Sequence, residues 1–139
     1  TDYSEQALLI AQKNSERLGL EQLSFSKSYW YESLSENHYW DLIISNPPYI
    51  DCEDFAGDSN RGYEPGLALY ARENGLSDLR QIITGARKYL KASGFLLLEH
   101  GYDQRLSVIR DLKLAEFTDI ESRVDLSGLD RASGGRTNA

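Results

Sequence analysis

The order of its apolar segments constrains the fold of this chain more than any other feature of the sequence. Trp40–Ser45 and 95–99 each have a continuous apolar centre, which is typical of a strand buried on both faces of a sheet. Between them, residues 77–92 carry apolar side chains at helical spacing, and 104–114 predicts a further helix. Strands separated by helices of this length predict an α/β fold, with a mostly parallel sheet and helices on both faces.

The two ends of the chain carry weaker signals. Ser4, followed by acidic and amide residues, predicts a helix start, and Gly19 predicts the end of that helix. The alternating segments 23–27 and 117–124 predict short strands. The tail at 125–139 is rich in glycine and serine, which favours either one last short strand or a frayed end.

Composition argues against several classes of protein. The 139 residues include 22 acidic and 15 basic ones, and the net charge of −7 argues against an extended surface that tracks nucleic-acid phosphates. The longest apolar run, 95–98, is far shorter than the roughly 20 residues that span a bilayer. The single Cys52 cannot form an intramolecular disulfide. We therefore expect a cytoplasmic protein with no membrane partner.

The most informative polar segment follows the strand at Trp40–Ser45. Ligands of open parallel sheets bind beyond the carboxyl ends of the strands, and here that position is held by Asn46, Pro47, Pro48 and Tyr49. The two prolines fix the backbone twice and remove two N–H donors, and a residue before proline is kept out of the helical region. The segment therefore predicts a rigid corner that presents an amide, a free carbonyl and an aromatic ring.

These three groups suit one kind of substrate. The side-chain carbonyl of Asn46 and the backbone carbonyl of Pro47 can both accept hydrogen bonds from an NH₂ group, while the ring of Tyr49 stacks on the planar group that carries the nitrogen. An amine held in this way becomes an acceptor for an electrophilic carbon. The alternative is a Pro-Pro turn with a packed tyrosine. The long polar segment that follows, 50–66, favours the functional interpretation.

A resemblance to a known family rests on these residues and on three further motifs. The segment 41–51 (DLIISNPPYID) resembles the signature of S-adenosylmethionine-dependent amino-methyltransferases and, more narrowly, of the glutamine methyltransferases that modify peptide chain release factors. Segments 63–65, 94–101 and 125–131 are similar to that family's loop after the catalytic corner, its next strand and its closing hairpin. The resemblance implies a class I methyltransferase fold that is Rossmann-like, with an antiparallel hairpin at its C-terminal end.

The resemblance also implies roles for single residues. Asn46, Pro47, Pro48 and Tyr49 match the site for the substrate glutamine amide, and Asn46, Pro47 and Tyr49 are its catalytic residues. Three residues match the family's cofactor site for S-adenosylmethionine: Asp2 at the ribose hydroxyls, Trp30 at the adenine and Asn46. Tyr29 departs from the pattern, because an acidic residue is usual there. No metal is expected.

From the residues alone, two of these assignments stay open. Without the resemblance, the residues favour Asp2 as a charge at a helix N-terminus, beside Ser4. Trp30 and Tyr31 read as core or sheet-edge aromatics about as readily as a stacking platform.

The start of the chain bears on its domain organisation. The sequence contains no methionine and begins at Thr1, which predicts a processed product or a piece of a longer protein. The family's first strand, its glycine-rich cofactor turn and its substrate-recognition domain have no counterpart in residues 1–139. We therefore expect a partial catalytic domain. Its strand before Asn46 would have an unpaired edge, through which non-native oligomers could form.

The function expected from these observations is methyl transfer to a glutamine side-chain amide in a release factor. One alternative keeps the chemistry and changes the acceptor to an exocyclic amine on a nucleic-acid base, which the acidic charge balance disfavours. A second alternative is a non-catalytic fragment that serves as a binding or oligomerisation module.

Overall fold

The computed structural model describes residues 1–36, 39–53 and 65–138, which belong to two compact units, Thr1–His38 and Tyr39–Ala139. Most of the predicted loop after the corner lies outside the described residues, and so do Tyr63 and Glu64 of the family motif.

The first unit is built around helix α1, Glu5–Leu18. The Ser4 hydroxyl accepts a hydrogen bond from the Ala7 amide at 3.2 Å, and Gly19 ends the helix in the left-handed conformation at φ 67°. Both predicted ends of this helix are confirmed. The strand predicted at 23–27 is wrong, because only Lys27 forms a β-bridge, with Asp2. Asp2 lies directly before the start of α1, and among residues 1–36 this bridge does not extend into a strand.

The second unit contains a mixed sheet and its covering helices. Its elements in chain order are β1 Trp40–Ser45, β2 Ile50–Asp51, β3 Tyr70–Ala71, α2 Arg72–Gly75, α3 Ser77–Ala86, β4 Leu90–Glu99, α4 Arg105–Leu114, β5 Thr118–Val124 and β6 Asp130–Arg136. The main sheet has the order β1-β4-β6-β5, with β1 and β4 parallel and the other two pairings antiparallel. The α/β fold and its antiparallel hairpin are confirmed. Among the described residues, however, parallel pairings are not the majority.

The core of this unit lies between the sheet and the helices α3 and α4. Leu96 and Leu98 of β4 are completely buried. Helix α3 buries Leu79, Ile82 and Ile83, as its apolar spacing predicts, and helix α4 buries Val108 and Leu112. Helix α3 ends at Ala86 and not at the predicted residue 92, because Leu90 already pairs with Trp40 as the first residue of β4.

Strand β1 is only partly covered, so the expectation that it is buried on both faces is wrong. Leu42 is 47% exposed and Ile44 is 66% exposed. Among the described residues β1 pairs with β4 alone, and it therefore stands at an edge of the main sheet. An exposed edge agrees with the expectation from sequence, and oligomer formation through it stays a prediction.

The glycine-rich tail forms β6, an inner strand of the sheet. A Cβ on Gly134 would lie 2.3 Å from the carbonyl oxygen of Leu96, so only glycine allows β6 to approach β4 so closely. Next to it, Ser133 is completely buried and faces His100.

The buried His100 side chain is held as a neutral group. Its Nδ1 donates to the Gly101 carbonyl at 2.8 Å, and its Nε2 accepts from the Ser133 hydroxyl at 2.8 Å, which in turn accepts from Ser122. Burial is the largest influence on this imidazole, and it lowers the pKa of His100.

This lowered pKa predicts a pH-dependent stability. Below about pH 6.5 the unfolded chain takes up a proton at His100 and the folded chain does not. The free energy of unfolding should therefore decrease as the pH is lowered through this range. Urea denaturation between about pH 7.5 and about pH 5.5 measures this slope. A His100→Gln variant should lose part of the slope, and an identical slope in both proteins would contradict the assignment.

Candidate active site

The corner predicted from sequence lies where two parallel strands end. Ser45, the last residue of β1, pairs with Leu98, so Asn46 follows β1 at the same sheet edge where Glu99 ends β4. Asn46 is exposed, whereas Pro47 is buried and Tyr49 is half-buried. The rigid proline therefore anchors the corner while the amide before it remains accessible to a ligand.

The hydroxyl of Tyr49 is tied to the neighbouring strand. It donates a hydrogen bond to Glu99 Oε1 at 3.0 Å. Burial raises the pKa of Tyr49, and the hydrogen bond to Glu99 and the charge of its carboxylate raise it further. Tyr49 is therefore a neutral phenol at neutral pH, and it can act through the face of its ring.

A second contact holds the backbone of the same residue. Gln104 Nε2 donates to the carbonyl of Tyr49 at 2.9 Å and to the carbonyl of Asn74 at 3.0 Å. The next residue, Ile50, donates its N–H to the carbonyl of Leu69 at 3.0 Å, and the short strands β2 and β3 pair there. Tyr49 is thus fixed at its hydroxyl and at its carbonyl.

Arg131, near the start of β6, carries a guanidinium whose charge reaches Tyr49. Arg131 donates to Asp125 Oδ2 through Nε and Nη2, both at 3.2 Å, and its positive charge acts on the Tyr49 phenol. Asp125 Oδ1 accepts from the backbone of Ser127 and Leu129. The motif at 125–131 therefore positions Arg131 through Asp125.

Of the three residues predicted to hold the cofactor, Asp2 and Trp30 belong to the first unit and Asn46 belongs to the second. Asp2 is exposed, and its Oδ1 accepts from the Ser4 amide at 2.7 Å, which is the helix-terminal role left open by the sequence. The rings of Tyr29 and Trp30 lie 5.7 Å apart, and those of Tyr3 and Tyr29 lie 6.1 Å apart. The buried Trp30 Nε1 has no hydrogen-bond partner among the described residues.

Two of these aromatic side chains, Tyr3 and Tyr29, border a concavity of about 260 Å³. Its lining consists of Tyr3, Lys27, Ser28, Tyr29, Glu32 and Ser33. Aromatic faces and a nearby carboxylate are suitable groups for a planar heterocycle with a ribose.

Sequence reasoning missed two residues that contact the corner, Glu99 and Gln104, and a third, Arg131, whose charge acts on Tyr49. Only Glu99 carried a usable signal, because it ends the second buried strand at the ligand-binding edge of a parallel pair. Within residues 1–36, 39–53 and 65–138, no cluster of three or more His, Cys, Asp or Glu side chains could hold a metal ion. Among the same residues, no helix is both long and apolar enough to cross a membrane.

Comparison with known proteins finds curated relatives that carry the same name. No family model matches the chain. It is 38% identical over 133 residues to the release factor glutamine methyltransferase of Francisella tularensis, covering 95% of this chain and 46% of the relative. It is 42% identical over 115 residues to the Burkholderia pseudomallei protein of the same name, covering 82% of this chain and 40% of the relative.

The fold has relatives among solved structures. A ribosomal protein L11 methylase from Lactobacillus delbrueckii superposes with a TM-score of 0.67 at 16% identity, covering 99% of this chain and 56% of that one. This likeness establishes the methyltransferase fold alone. Over nearly its whole length the chain is similar in sequence to curated members of the release factor glutamine methyltransferase family, and it spans about half the length of those relatives.

Proposed function

We propose that the protein carrying this chain transfers a methyl group from S-adenosylmethionine to the side-chain amide nitrogen of a glutamine in a peptide chain release factor. The observation that carries this proposal is the exposed Asn46 amide at the carboxyl end of β1, followed by a tyrosine held at both ends. We further infer that residues 1–139 are part of the catalytic domain. A release-factor substrate would also place the protein in the cytoplasm.

The corner can perform the reaction by positioning and electrostatics. The Asn46 side-chain carbonyl and the Pro47 carbonyl accept hydrogen bonds from the glutamine NH₂, which fixes the nitrogen and increases its electron density. The Tyr49 ring stacks on the amide plane and excludes water from it. The bound cofactor supplies an electrophilic methyl carbon for in-line displacement by this nitrogen, which afterwards loses a proton to solvent.

Asp2 and Trp30 are the residues of the first unit proposed to hold the cofactor. The rings of Tyr3 and Tyr29, which line the concavity, fit a nucleoside. Glu32, which lines the concavity, offers a carboxylate where Tyr29 replaces the family's usual acidic residue.

Variants of Tyr49 should separate the role of the ring from that of the hydroxyl. Tyr49→Phe keeps the stacking face and loses the bond to Glu99, so we expect kcat to fall less than about tenfold. Tyr49→Leu removes the face as well, and we expect a loss of about 100-fold. Steady-state methylation kinetics measure both values. Equal losses in the two variants would show that the ring face contributes nothing.

The proposed acceptor is tested by a direct comparison of substrates. The purified whole protein is incubated with S-adenosylmethionine carrying a labelled methyl group and with either a release factor, transfer RNA or duplex DNA. We expect label in the release factor alone. Label in a nucleic acid would favour the base-methylating alternative, and cofactor binding without any transfer would favour a non-catalytic module.

A further inference from the structure

The side chain of Gln104 is used in an unusual way for its place in the chain. Gln104 is the N-cap residue of α4, a position where a polar side chain normally accepts from the first turn of the helix. Here the side chain makes no such bond, and the residue is only 7% exposed. Its carboxamide forms hydrogen bonds with other parts of the backbone instead.

The carboxamide joins three segments that are distant in the sequence. Its Nε2 donates to the carbonyls of Tyr49 and Asn74, and its Oε1 accepts from the Gly101 amide at 2.8 Å. Tyr49 closes the Asn46 corner, Asn74 precedes α3, and Gly101 follows β4. The amide uses both donors and its acceptor on backbone groups, so its orientation is fixed.

The packing around this amide leaves no room for adjustment. A Cβ on Gly75 would lie 2.0 Å from the Tyr49 carbonyl oxygen and 2.6 Å from Gln104 Nε2. The Tyr49 carbonyl therefore lies between a glycine backbone and the Gln104 amide. Because Pro47 and Pro48 restrict the backbone before Tyr49, a shift of this carbonyl would be transmitted to the carbonyl of Pro47.

We propose that Gln104 is a positioning residue for the substrate amide: by holding the Tyr49 carbonyl, it sets the geometry of the corner formed by Asn46, Pro47 and Tyr49. The inference rests on the proposed function. Gln104 acts through Tyr49 and does not touch the substrate. A displacement of about 1 Å in such a corner can reduce turnover by about 100-fold.

The test compares Gln104→Met, which removes all three bonds, with Gln104→Glu, which keeps an acceptor for Gly101 and loses both donors to carbonyls. Gln81→Met and Gln81→Glu, at an exposed position of α3, are the matched controls. Each whole protein is assayed for kcat, for cofactor affinity by calorimetry and for hydrogen exchange by mass spectrometry. Cofactor affinity should fall less than kcat, because Asp2 and Trp30 lie in the other unit and only Asn46 of the predicted cofactor residues belongs to the corner.

We expect both Gln104 variants to lose about 10- to 100-fold in kcat and to exchange faster in the segment around Ile50, with little change in the Gln81 controls. Wild-type kcat in either folded variant would overturn the proposal. So would faster exchange spread evenly over Tyr39–Ala139, which would indicate only a general structural role. If the wild-type protein methylates no release factor, the proposed function fails, and the local exchange alone decides the role of Gln104.

Discussion

Replacing Asn46 with alanine is expected to reduce methyl transfer by at least about 100-fold, with the fold unchanged. The substitution removes the side-chain carbonyl that would hold the substrate NH₂, and the remaining Pro47 carbonyl cannot fix the amide by itself. Asn46 is exposed, so the free energy of unfolding should change by no more than about 0.5 kcal/mol. Steady-state kinetics and urea denaturation of the same preparation measure the two effects.

An exposed asparagine elsewhere in the chain provides the control for this prediction. Asn14 lies on α1, and Asn14→Ala should leave both activity and stability near their wild-type values. Near-normal turnover in Asn46→Ala would remove the proposed role of this amide. A large loss of stability in that variant would show that Asn46 is structural.

Replacing Gly75 with alanine is expected to cause the largest loss of stability of any substitution considered for the corner. Gly75 has a φ of 75°, and its Cβ would lie 2.0 Å from the backbone oxygen of Tyr49. The neighbours are backbone and a fully bonded amide, so they cannot yield without breaking contacts. We expect a loss of about 3 kcal/mol or more in the free energy of unfolding, together with most of the activity.

A substitution of Gly128 is the control that separates the steric clash at Gly75 from the strain of a positive φ. Gly128 has a similar φ of 80°, but a Cβ there would meet nothing within 4 Å. Gly128→Ala should therefore cost only the backbone strain, about 1 kcal/mol. Thermal or urea unfolding of both variants gives the difference. Equal losses would mean that the close approach to Tyr49 contributes nothing.

Local signals predicted the parts of the fold that depend on neighbouring residues. Ser4 and Gly19 mark the ends of α1 through contacts within a few residues. The end of α3 was misplaced because Leu90 continues the helical spacing, whereas its actual partner is Trp40, 50 residues earlier. The inner position of β6 depends on pairing with β4 and β5, and a glycine-rich segment shows little sign of this in its own residues.

The candidate site likewise has a part that could be predicted from the sequence and a part that could not. The corner at Asn46–Tyr49 is contiguous, and its two prolines restrict the backbone wherever they occur, so it could be recognised from the sequence. Glu99 and Gln104 reach Tyr49 across 50 and 55 residues, and only the topology of the sheet brings them together. Arg131 likewise depends on the turn that Asp125 stabilises.

The central claim is that the Asn46 corner directs a methyl group onto a glutamine amide nitrogen. Tandem mass spectrometry of a release factor treated with the whole protein and S-adenosylmethionine tests it most directly. We predict one added methyl group on the side-chain nitrogen of a single glutamine, and none after treatment with Asn46→Ala. A methyl group on another type of residue, or on the same glutamine with the Asn46→Ala protein, would contradict the account.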